Sequence, residues 1–453
     1  LNKDGENFFS IKYYNHAFLI IEGKNFKFAT DPWAIGPAFN NGWWLKENTE
    51  HDWLKEVNKC DFIYLSHNHP DHLNTYTLKK ISKNIEIVVP KFQHDSMGGL
   101  IKNLGFKKIN YLQFNREYNF KNSNLIISLL KSGDFRLDSG IYFSIGKFSG
   151  LLDVDSNSIN FSKIPNVDLY GSSYAGGASG YPLMFDNYSL DEKKKITIKK
   201  NLFLKSIKIK NIIKSKSKYF LPYAGSFEEK LTRDKFVKKY NTKINFKDYF
   251  KHLEKKNIEV LEHDKFKIFE FNNGRLINKK KRSLNLYKDK SQHYYLKKFN
   301  DQNNKISDIK IKNYFLKSNF QDNLILLLSL TDDNFKKIYA TYYINFKNKK
   351  IEFKKIDLTK LNIKNNKNKE RLLLIKSRKE SLINTIKNKQ PWEDLLIGFQ
   401  CKIYRKPNLF NSNFWYHFSN IYIKNENKKF YRNCSTCDIF KQKVDNLLYH
   451  STQ

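Results

Sequence analysis

The sequence predicts a layered α/β fold that is followed by a smaller α+β domain. Over the first 270 residues, short apolar runs alternate with helical stretches, a pattern typical of sheets covered by helices. Hydrophobic residues make up 40% of the 453 positions, with 37 Phe and 27 Tyr, which is enough to bury a core. At roughly 150 residues per domain, this length suggests about two or three domains.

The elements of the first 270 residues follow from apolar runs that end at polar or turn residues. Strands are predicted at 8–14, 17–23, 26–30, 61–66, 85–90, 124–130, 141–145, 150–154 and 218–223. Helical composition indicates a helix at 77–84 and a long Lys- and Ile-rich amphipathic helix at 190–215. The run DFIYLS at 61–66 is fully apolar until it meets a polar cluster. We therefore expect a buried strand there that delivers side chains to a site.

A shift in composition divides the chain. The segment 274–305 is polar, basic and poor in aliphatic residues, so it is predicted to be a linker. After it, runs at 323–330, 337–346 and 350–358 predict a strand meander, and 378–399 predicts a helix that is interrupted near Pro391. The predicted division is a domain at 1–273, a basic linker at 274–305, an α+β domain at 306–424 and a polar tail at 425–453.

The charge balance is strongly basic, with 82 Lys and Arg against 45 Asp and Glu, a net charge of +37. This sign favours an anionic partner such as a phosphorylated substrate, a membrane surface or nucleic acid. The lysines are spread along the whole chain, as in proteins from A+T-rich genomes, and no aromatic-basic module or helix-turn-helix pattern stands out. We therefore expect no nucleic-acid partner.

Cysteine count and hydropathy exclude other classes. Four cysteines in 453 residues rule out a disulfide scaffold. The most apolar run, 324–330, is far short of a membrane span, and no secretory signal pattern opens the chain. These observations predict a cytoplasmic protein without a membrane span. The tryptophans Trp43, Trp44, Trp392 and Trp415 are expected in the core.

The segment SHNHPDH at 66–72 carries the chemistry of the chain. Four residues that can bind metal, His67, His69, Asp71 and His72, fall within six positions after the buried strand. Side chains two apart point the same way at a strand end, so His67 and His69 can converge on one ion. The turn at Pro70 lets Asp71 and His72 face a second position nearby. A single histidine usually satisfies only backbone groups, but this cluster predicts a metal site for zinc, iron or manganese.

Further ligands must come from other strand ends. The acidic candidates are Asp31, Asp134, Asp138, Asp153 and Asp155. Each of them alone could instead be a turn or cap residue. His16, just before a strand, could face the same end of the sheet or be an ordinary surface histidine.

The glycine-rich loop GGASG at 176–180 is a second candidate site. Glycines let a backbone approach a ligand, and exposed N–H groups could bind a phosphate or a carboxylate. A tight strand-to-helix turn is the alternative interpretation. Lysines of KKKITIKK at 193–200 could meet such a phosphate, although most of them are expected on a solvated helix face.

Several segments resemble a known family in order and at similar spacing. HxHxDH after an apolar strand, preceded by a strand that ends in Asp31–Pro32, resembles the metallo-β-lactamase superfamily. Longer segments resemble the CMP-N-acetylneuraminate hydroxylase family; they are DPWAIGPAFNNGWW (31–44), YLSHNHPDHLNTYTLKK (64–80), SSYAGGASGYPLMF (172–185), YFLPYAG (219–225) and WEDLLIGFQCKIYRKPNLFNSNFWYHF (392–418). The resemblance implies a metallo-β-lactamase-like αββα sandwich at 1–273.

The resemblance also implies an oxygenase. Members of this family hydroxylate the N-acetyl methyl of a CMP-linked sialic acid with dioxygen and electrons from an iron–sulfur centre. It implies one or two iron ions, with zinc or manganese as alternatives. The implied metal ligands are His67, His69, Asp71, His72, Asp155 and Asp134. The implied substrate-binding residues are His16, Gly176, Gly177, Ser179 and Gly180.

Two departures from the family pattern bear on this expectation. Many superfamily members carry a histidine where this chain has Asp134, with Asp138 as the other candidate, which shifts the site toward oxygen ligands. The family also carries a Rieske domain, whose cluster needs two Cys and two His. No C-x-H and C-x-x-H pair is present here, and CSTC at 434–437 is interpreted as a tail feature. Three explanations are open: the electron-transfer module lies upstream of Leu1, it is a separate protein, or the activity is not an oxygenation.

Two alternatives to the oxygenase stay open. A metal-dependent hydrolase would use zinc or manganese at the same residues to lower the pKa of bound water toward about 7 and attack a phosphodiester, lactone or amide. Asp71 would then be the catalytic residue that orients this water. A non-catalytic carbohydrate- or nucleotide-binding protein is the other alternative, and it would require the four-residue cluster to be vestigial.

Overall fold

The computed structural model describes residue 5 and residues 7–120, 122–132, 137–156, 159–161, 166–347, 351–357 and 371–421. The strands, in chain order, are β1 (Phe8–Asn15), β2 (Phe18–Gly23), β3 (Phe26–Thr30), β4 (Trp44–Leu45), β5 (Phe62–Tyr64), β6 (Glu86–Pro90), β7 (Ile109–Leu112), β8 (Glu117–Asn119), β9 (Leu125–Lys131), β10 (Ser139–Ile145), β11 (Phe148–Leu152), β12 (Leu169–Ser173), β13 (Tyr219–Tyr223), β14 (Phe227–Glu228), β15 (Glu259–Val260), β16 (Phe266–Asn272), β17 (Arg275–Lys281), β18 (Leu324–Thr331), β19 (Ile338–Asn345), β20 (Glu352–Ile356), β21 (Arg371–Arg378) and β22 (Cys401–Lys406).

The helices lie between these strands and after the last of them. In chain order they are α1 (Trp53–Val57), α2 (Thr75–Lys80), α3 (Gly98–Asn103), α4 (Leu190–Lys214), α5 (Lys235–Tyr240), α6 (Phe250–Glu254), α7 (Gln292–Gln302), α8 (Asp308–Ser318), α9 (Lys379–Asn388), α10 (Glu393–Ile397) and α11 (Ser412–Ser419), with 3-10 turns at Thr232–Asp234 and Phe246–Tyr249. No helix of the described ranges is long and apolar enough to cross a membrane.

Two sheets pack face to face in the first part of the chain. One has the order β17-β16-β1-β2-β3-β5-β6-β7, and the other has the order β15-β13-β12-β11-β10-β9-β8. The core between them joins apolar side chains of both sheets, including Ile11 and Leu19 from the first and Ile127 and Phe143 from the second. Sheets with one apolar face stack in this way because each buries that face against the other.

Helices cover the outer faces of both sheets. Trp53 of α1 and Leu78 of α2 pack on the first sheet, together with Ile63 and Ile87. Ile212 of α4 packs on the second sheet in a cluster that includes Phe220 and Leu253 of α6. The predicted αββα sandwich is therefore confirmed, and so is the long helix at 190–215. A capping box at Ser189 and Glu192 begins this helix, since each side chain bonds the other residue's backbone N–H.

The C-terminal part forms a separate mixed sheet with the order β20-β19-β18-β21-β22. Strands β18, β19 and β20 form the predicted antiparallel meander, whereas β21 joins β18 in parallel. Helices α9 and α10 break at Gln390–Trp392, around the predicted interruption at Pro391. Trp43, Trp44, Trp392 and Trp415 are all buried, as expected. Sequence analysis did not predict α8, β21 or β22.

The segment 274–305, interpreted as a linker, instead contains regular structure. Strand β17 pairs with β16 at the edge of the first sheet, and α7 buries Tyr295 and Phe299. An edge strand faces solvent, so it tolerates the lysines that made this segment look like a linker. One of them, Lys279, lies over the ring of Phe266. The division of the chain into domains otherwise stays a prediction, and the tail from 425, with Cys434 and Cys437, lies outside the described residues.

Candidate metal centre

Parallel strands bring the ends of the functional segments to one edge of the sandwich. Thr30 of β3 lies opposite Tyr64 of β5 in a parallel pair, so the residues that follow both strands leave at the same edge. The backbone N–H of Asp31 donates to the Tyr64 carbonyl at 2.9 Å. In the second sheet, β11 ends at Leu152, and Asp155 follows it after a turn at Val154, where φ is +55°. The strand predicted at 61–66 thus leads, as β5, into the segment whose side chains form the site.

One group of possible ligands consists of His67, His69 and Asp155, whose donor atoms all lie within 4.8 Å of one another. His67 Nε2 lies 2.9 Å from His69 Nδ1 and 3.9 Å from Asp155 Oδ2. His67 is 2% exposed, while His69 and Asp155 are partly buried. The two histidines therefore converge as their spacing predicted.

A second group consists of His16, Asp71 and His72, all of them buried. Asp71 Oδ2 lies 3.0 Å from His16 Nε2 and 3.4 Å from His72 Nε2. His72 Nε2 also lies 3.6 Å from Asp155 Oδ2, so the Asp155 carboxylate stands between the two groups. His16 lies beside Asp71, in the turn between β1 and β2, at the end of the sheet that sequence analysis left open for it. Its predicted role in substrate binding stays a prediction.

Acidic residues contact two of these rings from behind. His72 Nδ1 lies 2.9 Å from Asp31 Oδ2, and Ser66 donates to both Asp31 oxygens at 2.8 and 2.7 Å. His67 Nδ1 lies 3.0 Å from Asp138 Oδ1. In each case the other ring nitrogen is left to face the cluster, an arrangement typical of residues that orient metal-bound histidines. Asp31 and Asp138, both predicted as candidate ligands, thus contact the outer side of the site.

The remaining predicted acids have different positions. Asp153 contacts Tyr170, and its Oδ2 lies 3.8 Å from the Nζ of Lys208. Burial raises the pKa of Asp153 to about 6, against the opposing effect of Lys208. Asp153 thus belongs to a buried polar cluster behind Asp155. Asp134 lies outside the described residues.

The electrostatics of the cluster suit a cation. Burial by itself would raise the pKa of Asp71, but His72 and His16 hold that pKa well below its usual range. Burial would lower the pKa of His72, but Asp71 and Asp31 raise it well above its usual range. The site therefore holds protons between carboxylates and imidazoles. A bound metal ion replaces such protons, which is why metal binding and proton release are coupled.

Unpartnered atoms and the kinds of donor present test whether a metal fits. Asp71 Oδ1 and His72 Nε2 are buried, and neither makes a hydrogen bond with a described residue. Buried polar atoms are almost always hydrogen-bonded, so each of these two atoms needs a further partner. Imidazole nitrogen and carboxylate oxygen together suit iron, zinc or manganese. The residues present therefore fit a transition-metal site with room for one or two ions.

The C-terminal part adds two acids that sequence analysis did not assign to the site. Glu393, the first residue of α10, places Oε1 3.4 Å from His69 Nε2. Burial would lower the pKa of His69, but Glu393 raises it to about 9. Asp394 is buried next to these residues, and burial raises its pKa well above the usual range. The sequence predicts no site residue in the segment 392–418, because nothing in its composition indicates a contact with His69.

Aromatic rings close one side of the cluster. Phe39 lies edge-on to His69 at 5.8 Å, and Trp43 stacks on Phe227 at 3.5 Å between ring centroids. Phe227 in turn lies edge-on to His16 at 6.2 Å. These rings present an apolar wall to the imidazoles and restrict the access of water.

The loop 176–180 runs from this edge toward α10. Its first glycines have positive φ, +62° at Gly176 and +75° at Gly177, and Asn241 donates to the Gly177 carbonyl at 3.0 Å. Ser179 Oγ accepts from the Tyr181 backbone N–H at 3.2 Å. A methyl group at Gly180 would lie 2.6 Å from the Leu396 carbonyl oxygen, so the loop ends in close contact with α10. Its predicted role in substrate binding stays a prediction.

Comparisons with known proteins agree with this architecture. The family model described as a β-lactamase superfamily domain matches residues 10–131. The cytidine monophosphate-N-acetylneuraminic acid hydroxylase of Macaca mulatta is 30% identical over 434 residues, which cover 90% of this chain and 71% of that protein. The inactive human protein of the same name is also 30% identical, over 90% of this chain and 84% of its own length.

Among solved structures, the diiron β-hydroxylase CmlA from Streptomyces venezuelae is similar with a TM-score of 0.38 and 16% identity, over 58% of this chain and 54% of CmlA. The match to the curated relatives covers 90% of this chain, so it extends through both of its parts. This chain, with its β-lactamase superfamily domain, belongs to the cytidine monophosphate-N-acetylneuraminic acid hydroxylase family.

Proposed function

We propose that this chain is a metal-dependent oxygenase that hydroxylates the N-acyl group of a CMP-linked, sialic-acid-like sugar. The observation that carries the proposal is the convergence of two ligand groups, His67–His69–Asp155 and His16–Asp71–His72, on one edge of the sandwich. The relatives named as hydroxylases support the reaction type and the class of substrate. In this proposal the partner that the chain binds is therefore a nucleotide sugar.

In this proposal the two groups hold one or two iron ions, and zinc or manganese could occupy the same donors. Bound iron supplies the redox chemistry that hydroxylation of a C–H bond by dioxygen requires. One oxygen atom enters the C–H bond and the other leaves as water. Two electrons and two protons are therefore needed, and we propose that an electron-transfer protein or a Rieske module delivers the electrons.

The residues of the chain have three further tasks in the proposed reaction. Asp31 and Asp138 keep the rings of His72 and His67 oriented toward the site. Asp71 can hold a proton between the two buried histidines that it contacts. The wall formed by Phe39, Trp43 and Phe227 keeps bulk water from the reacting centre, which limits side reactions. The cytoplasmic location stays a prediction.

The proposal is tested by product analysis. Purified chain loaded with ferrous iron is given CMP-N-acetylneuraminate, labelled dioxygen and either a Rieske-type reductase system or a chemical reductant. We expect a CMP-sugar that is heavier by one labelled oxygen atom, measured by mass spectrometry. The His67→Ala/His69→Ala double variant should lose both bound metal and product, because both imidazoles belong to the same ligand group.

The matched control is His252→Ala, which removes an exposed histidine of α6 far along the chain from the cluster. It should keep wild-type metal content and product yield. Absence of product with both electron sources would count against oxygenation. Cleavage of a nitrophenyl phosphodiester without dioxygen or reductant would support the hydrolase alternative, in which Asp71 orients the attacking water.

A further inference from the structure

Arg405, in β22, is a buried cation that has no acidic partner among the residues the structure describes. It is 6% exposed, and its guanidinium lies over the rings of Phe185 and Tyr181, 5.0 and 6.0 Å from the centroids. Its Nε donates to Asn408 Oδ1 at 2.8 Å, and one terminal nitrogen donates to the Tyr188 hydroxyl at 3.4 Å. No carboxylate of the described ranges forms an ion pair with it. Buried charges normally have a partner of opposite sign.

Another buried arginine of the same sheet shows the usual solution. Arg378, at the end of the neighbouring strand β21, is 2% exposed and places a terminal nitrogen 2.8 Å from Asp234 Oδ1. The Arg405 guanidinium forms no such ion pair with a described residue, and the side chains named above that it contacts are all neutral. The difference indicates that an anion from outside the described part of the chain completes its surroundings.

Lys200 of α4, which is partly buried, is a second cation that contacts Tyr181. Its Nζ donates to the Tyr181 backbone carbonyl at 2.8 Å, and it forms no ion pair with the residues that the structure describes. Burial lowers the pKa of Lys200 to about 8, since no carboxylate opposes the effect. Lys208, two turns along the same helix, instead lies 3.8 Å from Asp153. The Arg405 guanidinium therefore lies over the ring of Tyr181, and the Lys200 ammonium group donates to the Tyr181 carbonyl. Neither cation forms an ion pair with a described residue.

The position of Tyr181 links these cations to the candidate metal centre. Tyr181 follows Gly180, which packs against Leu396 of α10. Leu396 lies one helical turn after Glu393, the residue that contacts His69. An extended substrate could thus reach from the metal centre along α10 to the two cations.

We propose that Arg405 and Lys200 form a subsite that binds the phosphate of the nucleotide-sugar substrate. This inference rests on the proposed function for its substrate. A guanidinium presents paired N–H donors that match phosphate or carboxylate oxygens, and an ammonium group adds a second positive charge. The substrate also carries a sugar carboxylate, which shares this chemistry, so the experiment must separate the two groups.

Binding can be measured without catalysis. The full chain, without reductant, is titrated by calorimetry with CMP, with cytidine and with N-acetylneuraminate. We expect CMP to bind more tightly than cytidine. Lys200→Met and Arg405→Lys should each weaken CMP binding roughly ten- to a hundredfold, because each removes charge-assisted hydrogen bonds, and should leave cytidine binding unchanged. Lys199→Met, at the neighbouring exposed position of α4, should bind CMP like the wild type.

Several outcomes of the titrations would overturn the assignment. Unchanged CMP affinity in both variants would refute the subsite, as would a wild-type chain that does not bind CMP. Weakened binding of N-acetylneuraminate with unchanged CMP binding would assign the cations to the sugar carboxylate instead. If Arg405→Lys fails to fold, the CMP affinity of Lys200→Met alone tests the subsite. Failure of hydroxylation with CMP binding intact and dependent on Lys200 would refute the proposed function but leave this subsite standing.

Discussion

At the scale of single residues, the histidines of the candidate metal centre are oriented by carboxylates on their outer side. Asp31 contacts His72 Nδ1 at 2.9 Å, and Ser66 fixes Asp31 through two hydrogen bonds. All three residues are buried, so the ring of His72 has little freedom to turn. A ring held in this way presents Nε2 to a metal at a low entropic cost, and its partner raises its basicity.

We expect Asp31→Asn to lower the affinity of the site for metal without unfolding the chain. The amide keeps the size of the carboxylate but removes its negative charge, so it polarises the imidazole of His72 less. Loss of such an orienting partner typically costs about 10- to 100-fold in metal affinity. The measurement is competition for iron or zinc against a chelator of known affinity. Asp191→Asn, at an exposed position of α4, is the control and should bind metal as the wild type does. Equal affinities in the two variants would refute the orienting role of Asp31.

At the scale of elements, α10 is the part of the C-terminal region that meets the candidate metal centre. Its first residue, Glu393, contacts His69, and the glycine that follows its end, Gly398, packs closely on the loop after β3. A methyl group at Gly398 would lie 2.4 Å from the Phe39 carbonyl oxygen. The ring of Phe39 faces His69, so the helix and the aromatic wall share one contact surface.

We therefore expect Gly398→Ala to destabilise the protein and to disturb the site. The added methyl meets backbone atoms that cannot move aside, and overpacking of this kind costs about 1–3 kcal/mol. Urea denaturation measures the loss in the free energy of unfolding, and metal content reports on the site. Gly99→Ala is a matched control because a methyl group there meets no atom within 4 Å. In helix α3 that change should leave stability unchanged or raise it by about 0.5–1 kcal/mol. A Gly398→Ala protein as stable as this control would contradict the close contact.

At the scale of the whole molecule, buried ion pairs join the two parts of the chain. Asp234, from the 3-10 turn before α5, is 1% exposed and pairs with Arg378 of β21. Arg233 beside it places a terminal nitrogen 2.7 Å from Asp333 Oδ1, in the loop after β18. Asp234 also lies 3.8 Å from the Nε of Arg233, and the Nε of Arg378 lies 3.9 Å from Asp333 Oδ1. The four charges therefore form one network that joins the two parts of the chain.

Arg378→Met is expected to destabilise the whole molecule. It removes the closer of the two cations beside the buried Asp234 carboxylate and leaves only Arg233, at 3.8 Å. Loss of one member of a buried ion pair typically costs about 3–5 kcal/mol. The double variant Arg378→Met/Asp234→Leu should recover part of this loss, since the buried carboxylate is gone. Arg371→Met, on the same strand but more exposed, should cost no more than about 1 kcal/mol. Chemical denaturation measures the free energy of unfolding of all three proteins. If Arg378→Met were as stable as Arg371→Met, the ion pair between Arg378 and Asp234 would not hold the two parts together.

The sequence by itself determined what depends on neighbours along the chain. The strands at 8–14, 17–23 and 26–30 were predictable because apolar and aromatic residues cluster there, and β1, β2 and β3 lie at these positions. The convergence of His67 and His69 was predicted from the two-residue repeat of a strand end. Strand β5 ends at Tyr64, however, so the loop after it, and not the strand, brings the two rings together. The edge strand β17 was not predictable in this way, because a solvent-facing strand lacks a continuous apolar pattern.

Only the tertiary structure decided which distant residues complete the cluster. Asp71 meets His16 from 55 positions away, and His69 meets Glu393 from 324 positions away. Among five candidate acids, packing of the two sheets placed Asp155 between the ligand groups and put Asp31 and Asp138 behind the rings. Local composition carries no information on such contacts, since they depend on how sheets and helices stack after the chain has folded back on itself.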